Sequence, residues 1–279
     1  MKVDLHLHTY YSDGFFSPFE IVKKIQKTGT KIISITDHDN IGGLKEAIRT
    51  GLKEDIEVIP GVEISGEYMN REMHILGYFI DPNAPVMKEL LTEIQEERIL
   101  RIKKIIAKLN ELGSTITYDD AKEDLKTTVS IGRPHIANVL VKQGFVKSFF
   151  DAFSKYIGDD KIADVKKVRP NYDRVFKVIK EAGGLSFLAH PAKYFNEEEI
   201  KIFKAAGLDG IEVVHPSHNT NEVKKFKEIA VKHNLLTSGG SDFHGGRKND
   251  AGNMGKYYIS EKEIDKMRAM LQKNKSQFN

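Results

Sequence analysis

The sequence predicts an α/β protein, a parallel sheet with crossover helices, interrupted once by a helical insertion. Three observations predict it. Short runs rich in valine and isoleucine recur along the chain, helical segments with their own start and stop signals separate them, and residues 82–170 break the alternation. A chain of 279 residues is long enough for one large barrel, or for a core domain carrying an insertion.

The first run, Lys2 to Leu7, reads as a strand in which Val3, Leu5 and Leu7 share one face, while Asp4, His6 and His8 project from the other. Ser17, Pro18 and Glu20 then supply an N-cap, a first-turn proline and the acidic member of a capping box, the start of a helix. Further strands are expected at Lys31 to Thr36, Glu57 to Val62, His74 to Phe79, Leu185 to Ala189, Gly210 to Val214 and Leu235 to Gly239. Within the insertion, Met87 to Leu112 predicts a long, highly charged amphipathic helix, followed by short helical pieces around Tyr118, Pro134 and Phe149. Asn171 to Ala182, closed by Gly183-Gly184, predicts the helix that returns to the sheet. Ser260 with Glu263 marks the start of the last helix. The expected domains are therefore residues 1–81 with 171–279, and a helical insertion over 82–170.

Composition narrows the chemistry. Lysine plus arginine number 43 against 40 for aspartate plus glutamate, a balance that gives no argument for a nucleic-acid partner by itself. The absence of cysteine excludes disulfides, thiolate zinc sites and cysteine nucleophiles, so any metal must rest on nitrogen and oxygen. No apolar run approaches the ~18 residues of a membrane span, and a cytoplasmic location without a membrane partner is the expectation.

The candidate ligands share a position. Asp37, His38 and Asp39 follow Ile33-Ser34-Ile35-Thr36; Glu63 follows Pro60-Gly61-Val62; His190 follows Phe187-Leu188-Ala189; Asp242 and His244 follow Gly239-Gly240-Ser241. Each lies at or just past the C-terminal end of an expected strand, the rim where parallel barrels place their chemistry. His74 instead opens its strand. Singly, a histidine there is an ordinary loop residue and an aspartate a helix cap. Their recurrence at strand after strand, in a chain of ten histidines, points to a shared multinuclear metal cluster.

The strings His6-Leu7-His8 with Asp13, Thr36-Asp37-His38-Asp39, Gly61-Val62-Glu63, Leu188-Ala189-His190-Pro191 and Gly240-Ser241-Asp242-Phe243-His244 resemble the PHP (polymerase and histidinol phosphatase) superfamily. Gly132-Arg133-Pro134-His135 and His215-Pro216-Ser217-His218 bring the resemblance closer to the branch holding nucleoside 3',5'-bisphosphate phosphatases and a 5'-to-3' exoribonuclease. The resemblance implies a distorted (β/α)7 barrel with a helical insertion (cap) domain and three divalent ions, Mn, Fe or Zn more readily than Mg. It implies a first ion on His6, His8, Glu63 and Asp242, a second on Glu63, His74 and His190, and a third on Asp13, His38 and His244. It further implies a metal-dependent phosphoesterase acting on nucleotide phosphates, with short single-stranded RNA as a further substrate, through a hydroxide bridging the two ions that share Glu63.

Around that centre, Arg133 is the candidate phosphate clamp, its planar fork suited to two phosphoryl oxygens. Lys193, His215 and His218 are candidates for the leaving group or a second phosphate, and each also has an ordinary loop reading. Asp37 and Asp39 are candidates to orient imidazoles. Tyr10, Tyr11, Phe15 and Phe16 read as packing aromatics or as base-stacking platforms. Other readings stay open: a histidinol-phosphate phosphatase with the same chemistry, an amidohydrolase, and a metal-stabilised binding module.

Overall fold

The computed structural model describes residues 1–123, 131–246 and 248–276, with the Lys193 side chain outside the described set. The chain forms two compact units, Met1–Leu91 with Pro170–Asn279, and Thr92–Arg169.

The first unit is built on eight strands, β1 (Lys2–Leu7), β2 (Thr30–Ile35), β3 (Glu57–Tyr68), β4 (Arg71–Tyr78), β5 (Leu185–Leu188), β6 (Gly210–Val214), β7 (Leu236–Gly239) and β8 (Ile259–Ser260). They run in the order β7-β6-β5-β4-β3-β2-β1-β8. β2 pairs in parallel with β1 and β3, and β6 in parallel with β5 and β7. Past β7, Phe243 bridges Leu7 in parallel sense, and its carbonyl accepts the His8 N–H at 3.0 Å, so the sheet almost closes on itself.

The expected all-parallel sheet fails at β4, which is antiparallel to both β3 and β5. β3 continues past Val62 to Tyr68, then turns through Met69 and Asn70, both left-handed at φ 50° and 61°. Two consecutive left-handed residues give the primed turn whose twist suits a hairpin. A hairpin thus replaces one crossover helix, and β8 adds a short antiparallel edge beside β1. The result is a near-closed eight-stranded α/β barrel with helical insertions, not a strict sevenfold repeat.

The helices of this unit obey local chemistry. α1 (Pro18–Gln26) has the reciprocal Ser17–Glu20 capping box with Pro18 in its first turn. α2 (Leu44–Glu54) starts from Gly43. α3 (Pro85–Glu111) begins in the first unit and ends in the second. α4 (Tyr118–Glu123), α5 (Arg133–Lys142) and α6 (Phe149–Ala152) belong to the second unit. α7 (Tyr172–Glu181) ends at Gly183 with φ 79°, and α8 (Glu197–Ala205), α9 (Thr220–Lys232) and α10 (Glu261–Ser276) complete the first unit. Asn196 and Asn219 cap α8 and α9 with boxes of their own.

One apolar core joins Val3, Leu5, Ile59, Leu76, Tyr78 and Phe187 from the sheet to Ile264 and Met267 of α10. Each such aliphatic or aromatic side chain contributes about 1.5–3 kcal/mol by leaving water. The other face of β1 carries Asp4, His6 and His8, also buried. The second unit has its own core around Ile102, Ile105, Leu109, Ile136, Leu140 and Ile157. Among the described residues, no helix is long and apolar enough to cross a membrane.

Candidate metal centre

β1 presents His6 on the strand and His8 just beyond it; His38 follows β2, His190 follows β5, His215 follows β6, and Asp242 and His244 follow β7. Glu63 and His74 depart from their expected strand ends. Both lie inside the β3–β4 hairpin, where Glu63 pairs with Leu76 and Ser65 with His74. Cross-strand neighbours share a face, so the hairpin sets the carboxylate diagonal to the ring.

Glu63 is fully buried, and its two oxygens face different rings. Oε2 lies 3.2 Å from His6 Nε2, 3.3 Å from His8 Nε2 and 3.1 Å from His38 Nδ1. Oε1 lies 3.0 Å from His74 Nδ1 and 3.1 Å from His190 Nε2. Asp242 Oδ1 stands 3.3 Å from His6 Nε2 and 3.2 Å from His8 Nε2, and its Oδ2 stands 3.3 Å from His215 Nε2. Beside these, Asp13 Oδ1 lies 3.2 Å from His244 Nε2, 3.9 Å from His8 Nδ1 and 4.0 Å from His38 Nε2. His38 therefore borders both Glu63 and Asp13, where the resemblance placed it with Asp13 and His244 alone.

Donor atoms converge closely enough to hold a cation in the groups His6–His8–Glu63, His38–Glu63–His74 and His8–Asp13–His38–His244. His8 Nε2, His38 Nδ1 and His74 Nδ1 are buried and make no hydrogen bond. Buried nitrogens are normally satisfied. Imidazole lone pairs and carboxylates crowded without hydrogen bonds are the donor set that a divalent cation of nitrogen–oxygen preference satisfies. A fourth group, His6–Glu212–His215, is different, because His6 and Glu212 are already bonded to each other.

Glu212 is the residue that strand-end reasoning missed. Fully buried on β6, it receives His6 Nδ1 on Oε1 at 2.8 Å and the His190 N–H on Oε2 at 2.8 Å. A carboxylate only accepts, so His6 carries its hydrogen on Nδ1 and turns the Nε2 lone pair toward Glu63 and Asp242. The signal was present in Ile211-Glu212-Val213: an acid within an apolar strand is costly unless paired. Asp4 likewise accepts the Ser241 N–H at 2.9 Å and the His6 N–H at 3.3 Å, tying β1 to the segment that bears Asp242. Gly240 permits this approach, since a Cβ there would lie 2.4 Å from His6 N and 2.5 Å from His6 Cβ. His190 and Asp242 both sit in the left-handed region, at φ 29° and 47°. Such strain persists where surrounding contacts impose it, commonly at functional sites.

Electrostatics keep the acids ionised. Burial pushes the Glu63 carboxyl up, but the His38, His6 and His74 rings outweigh it and hold it well below the usual range. Asp242 is held well down too, burial being outweighed by His6, His215 and His8. Conversely, burial lowers His8 and His74, yet Asp242 and Glu63 raise His8 to about 9, while Glu63 and Glu72 raise His74 to about 10. Burial leads for His38 and His190 and keeps both low. Burial also lifts Asp4 to about 7, against the hydrogen bonds from Ser241 and His6.

The remaining candidates meet partners of their own. Asp37 accepts from Thr9 and Ser12, and Asp39 from the Ser65 N–H and hydroxyl, so both brace loops. His218 donates Nδ1–H to the Val213 carbonyl at 2.9 Å and stacks on Phe226. His135 accepts the Gly132 N–H, and His233 meets Glu197. Arg133 lies in the second unit, its Nη1 2.7 Å from Asp159 and 3.1 Å from the Ile157 carbonyl. The candidate atoms of Lys193 lie outside the described residues. Phe16 stacks on Phe243 and receives the Lys24 ammonium over its ring, which places it in packing.

A cavity of about 260 Å³ opens on the centre, lined by His38, Glu63, His74, His190, His215 and Asp242 together with Tyr194, Ser217 and Lys248. Ser217 donates its backbone N–H to His215 Nδ1 at 3.0 Å, so His215 carries its hydrogen on Nε2, toward Asp242.

Comparison with known proteins agrees with this geometry. The PHP domain model matches residues 4–185. The chain is 35% identical over 248 residues to a 3',5'-nucleoside bisphosphate phosphatase of Chromobacterium violaceum, covering 87% of each, and 35% identical over 251 residues to a 5'-3' exoribonuclease of Haemophilus influenzae, covering 87% of this chain and 90% of the relative. Among solved structures, a Bifidobacterium adolescentis protein classed provisionally as a metal-dependent phosphoesterase superposes with TM-score 0.81 at 28% identity, over 95% of this chain and 94% of that one. A Chromobacterium violaceum structure described as an amidohydrolase, with bound sulfate and no metal, gives TM-score 0.76 at 33% identity, over 89% of each chain. With the cluster, the barrel and these relatives in agreement, the chain belongs to the PHP superfamily of metal-dependent phosphoesterases and is related to its bisphosphate phosphatase and exoribonuclease branch.

Proposed function

We propose that this protein hydrolyses phosphate monoesters of nucleotides, such as 3',5'-bisphosphates, and that the same centre acts from the 5' end of short RNA. The observation that carries the reading is Glu63, one buried carboxylate with each oxygen turned to its own group of imidazoles. On this reading His6, His8, Glu63 and Asp242 would hold one ion, Glu63, His74 and His190 a second, and Asp13, His38 and His244 a third, all Mn, Fe or Zn. Bound divalent ions supply Lewis acidity toward phosphoryl oxygens and lower the pKa of water to a useful range.

The chain's own groups do the rest. Glu212 fixes the His6 tautomer that leaves Nε2 free. His215, with its Nε2–H on the cavity side, donates to the leaving oxygen as charge develops there. The cavity, about 260 Å³, is smaller than the ~300–1,000 Å³ that encloses a drug-sized ligand, and so suits a phosphoryl group and part of a sugar. Tyr194, 58% exposed on its lining, is then the stacking surface for a base left outside. Sulfate in the Chromobacterium structure shows a relative that takes a tetrahedral oxyanion. Arg133 belongs to the proposal as a phosphate clamp on its guanidinium chemistry, and R133K raising KM would support it.

The test is turnover of adenosine 3',5'-bisphosphate, histidinol phosphate and a 5'-phosphorylated oligoribonucleotide by Mn-loaded protein, wild type and E63Q. Release of phosphate from the bisphosphate, lost by orders of magnitude in a folded E63Q, is expected. Preference for histidinol phosphate, or E63Q turning over normally, would overturn the assignment.

A further inference from the structure

Lys248 stands among the ligands of the third group and has no part in the chemistry described above. Its Nζ lies 2.8 Å from Asp13 Oδ2 and 2.7 Å from His244 Nε2. The His244 contact has only one sense. His244 Nδ1 sits 2.8 Å from the Asp242 backbone carbonyl, an acceptor, so Nδ1 bears the hydrogen and Nε2 the lone pair. The ammonium therefore donates into the lone pair that a metal would use, while neutralising the carboxylate that a metal would use.

The loop is built to hold it there. Asp250 receives the backbone N–H of both His244 and Gly246, and Gly245 and Gly246 take left-handed φ of 86° and 89°. The stem of Lys248 remains half-exposed, so the ammonium can leave without breaking a core.

We propose that Lys248 is a tethered cation that competes with the divalent ion for the Asp13–His38–His244 site, so that the third ion binds only by displacing a side chain. This rests on the reading of the cluster as a metal centre. Two cations cannot share the His244 Nε2 lone pair or the single negative charge of Asp13, whose Oδ2 holds the ammonium while its Oδ1 faces the rings, so the competition sets occupancy of the third site. The consequence is a protein that fills two sites at low metal and the third only at higher metal.

The experiment is titration of chelator-stripped, full-length protein with Mn²⁺, following free Mn²⁺ by electron paramagnetic resonance and heat by calorimetry, for wild type, K248M and K248Q. Wild type should take up two equivalents tightly and a third more weakly. Both variants should tighten the third step by about tenfold, within the usual range of intramolecular coupling, and leave the first two within about twofold. A third step unchanged or weakened in both variants would overturn the competition while leaving the metal centre intact. Failure of wild type to take up any Mn²⁺ would overturn the metal centre and the competition with it.

Discussion

Glu212→Gln isolates the support of the centre from the centre itself. The carboxylate accepts two hydrogen bonds, from His6 Nδ1 and from the His190 N–H, each at 2.8 Å, and it is fully buried. Glutamine keeps the shape but offers one accepting oxygen and one NH₂. The backbone N–H of His190 cannot reverse, so the oxygen must serve it, leaving the NH₂ against His6. That ring must then accept on Nδ1 and carry its hydrogen on Nε2, the atom aimed at Glu63 and Asp242. The ligand lone pair is lost without any change of side-chain position. Support of this kind is worth about 10–100-fold in metal affinity, or ~1.4–2.7 kcal/mol, and a hydrogen bond to a charged group about 1.5–3 kcal/mol in stability. Calorimetric Mn²⁺ titration gives the affinity, and ¹⁵N shifts of the labelled imidazoles give the tautomer. Affinity within twofold of wild type, with His6 still protonated on Nδ1, would refute the assigned role.

Three further outcomes are expected. Phe187→Ala should lower unfolding free energy by about 3–5 kcal/mol in urea titration, since Phe187 is fully buried between Tyr78 and Gly210; a loss under 1 kcal/mol would contradict that packing. Gly240→Ala should cost about 1–3 kcal/mol and also weaken Mn²⁺ uptake, because its Cβ must push His6 off the centre; normal uptake would show that β1 yields harmlessly. Burial lifts the Asp209 carboxyl above its ordinary value, against the hydrogen bonds from Ser186. Its native pKa then exceeds the unfolded one, so its contribution is full below about pH 4 and declines as pH rises through the native pKa. Asp209→Asn should flatten that part of a Tm–pH profile, and a slope equal to wild type would count against it.

Much of the fold was legible because its signals are local. The Ser17–Glu20 box, the Gly183 stop and the valine–isoleucine runs are written within a few residues of where they act. The β3–β4 hairpin was not, because its turn is Met69-Asn70, without the glycine that usually marks left-handed pairs. At the site, His-x-His on β1 and the acids after β7 could be read from position. Glu212 could not, since its partners, His6 and the His190 N–H, come from distant parts of the chain. For Asp37 and Asp39, adjacency to His38 in sequence said nothing of the Thr9, Ser12 and Ser65 donors they meet in space.

The departure from a parallel barrel explains how one carboxylate comes to face two groups of rings. In a regular barrel the functional residues hang from strand ends, each on a separate loop. Here β3 and β4 extend beyond the rim as a paired ribbon, and Glu63 projects from its rigid interior. Rings from β1 and β2 approach Oε2, and rings from β4 and β5 approach Oε1. A loop would fix the two oxygens less firmly, because each hydrogen-bonded ladder position restrains the backbone on either side of Glu63. The antiparallel strand is thus what converts a rim of separate ligands into a shared bridge, and shortening the hairpin at Met69 and Asn70 should loosen the Glu63 contacts before it unfolds the barrel.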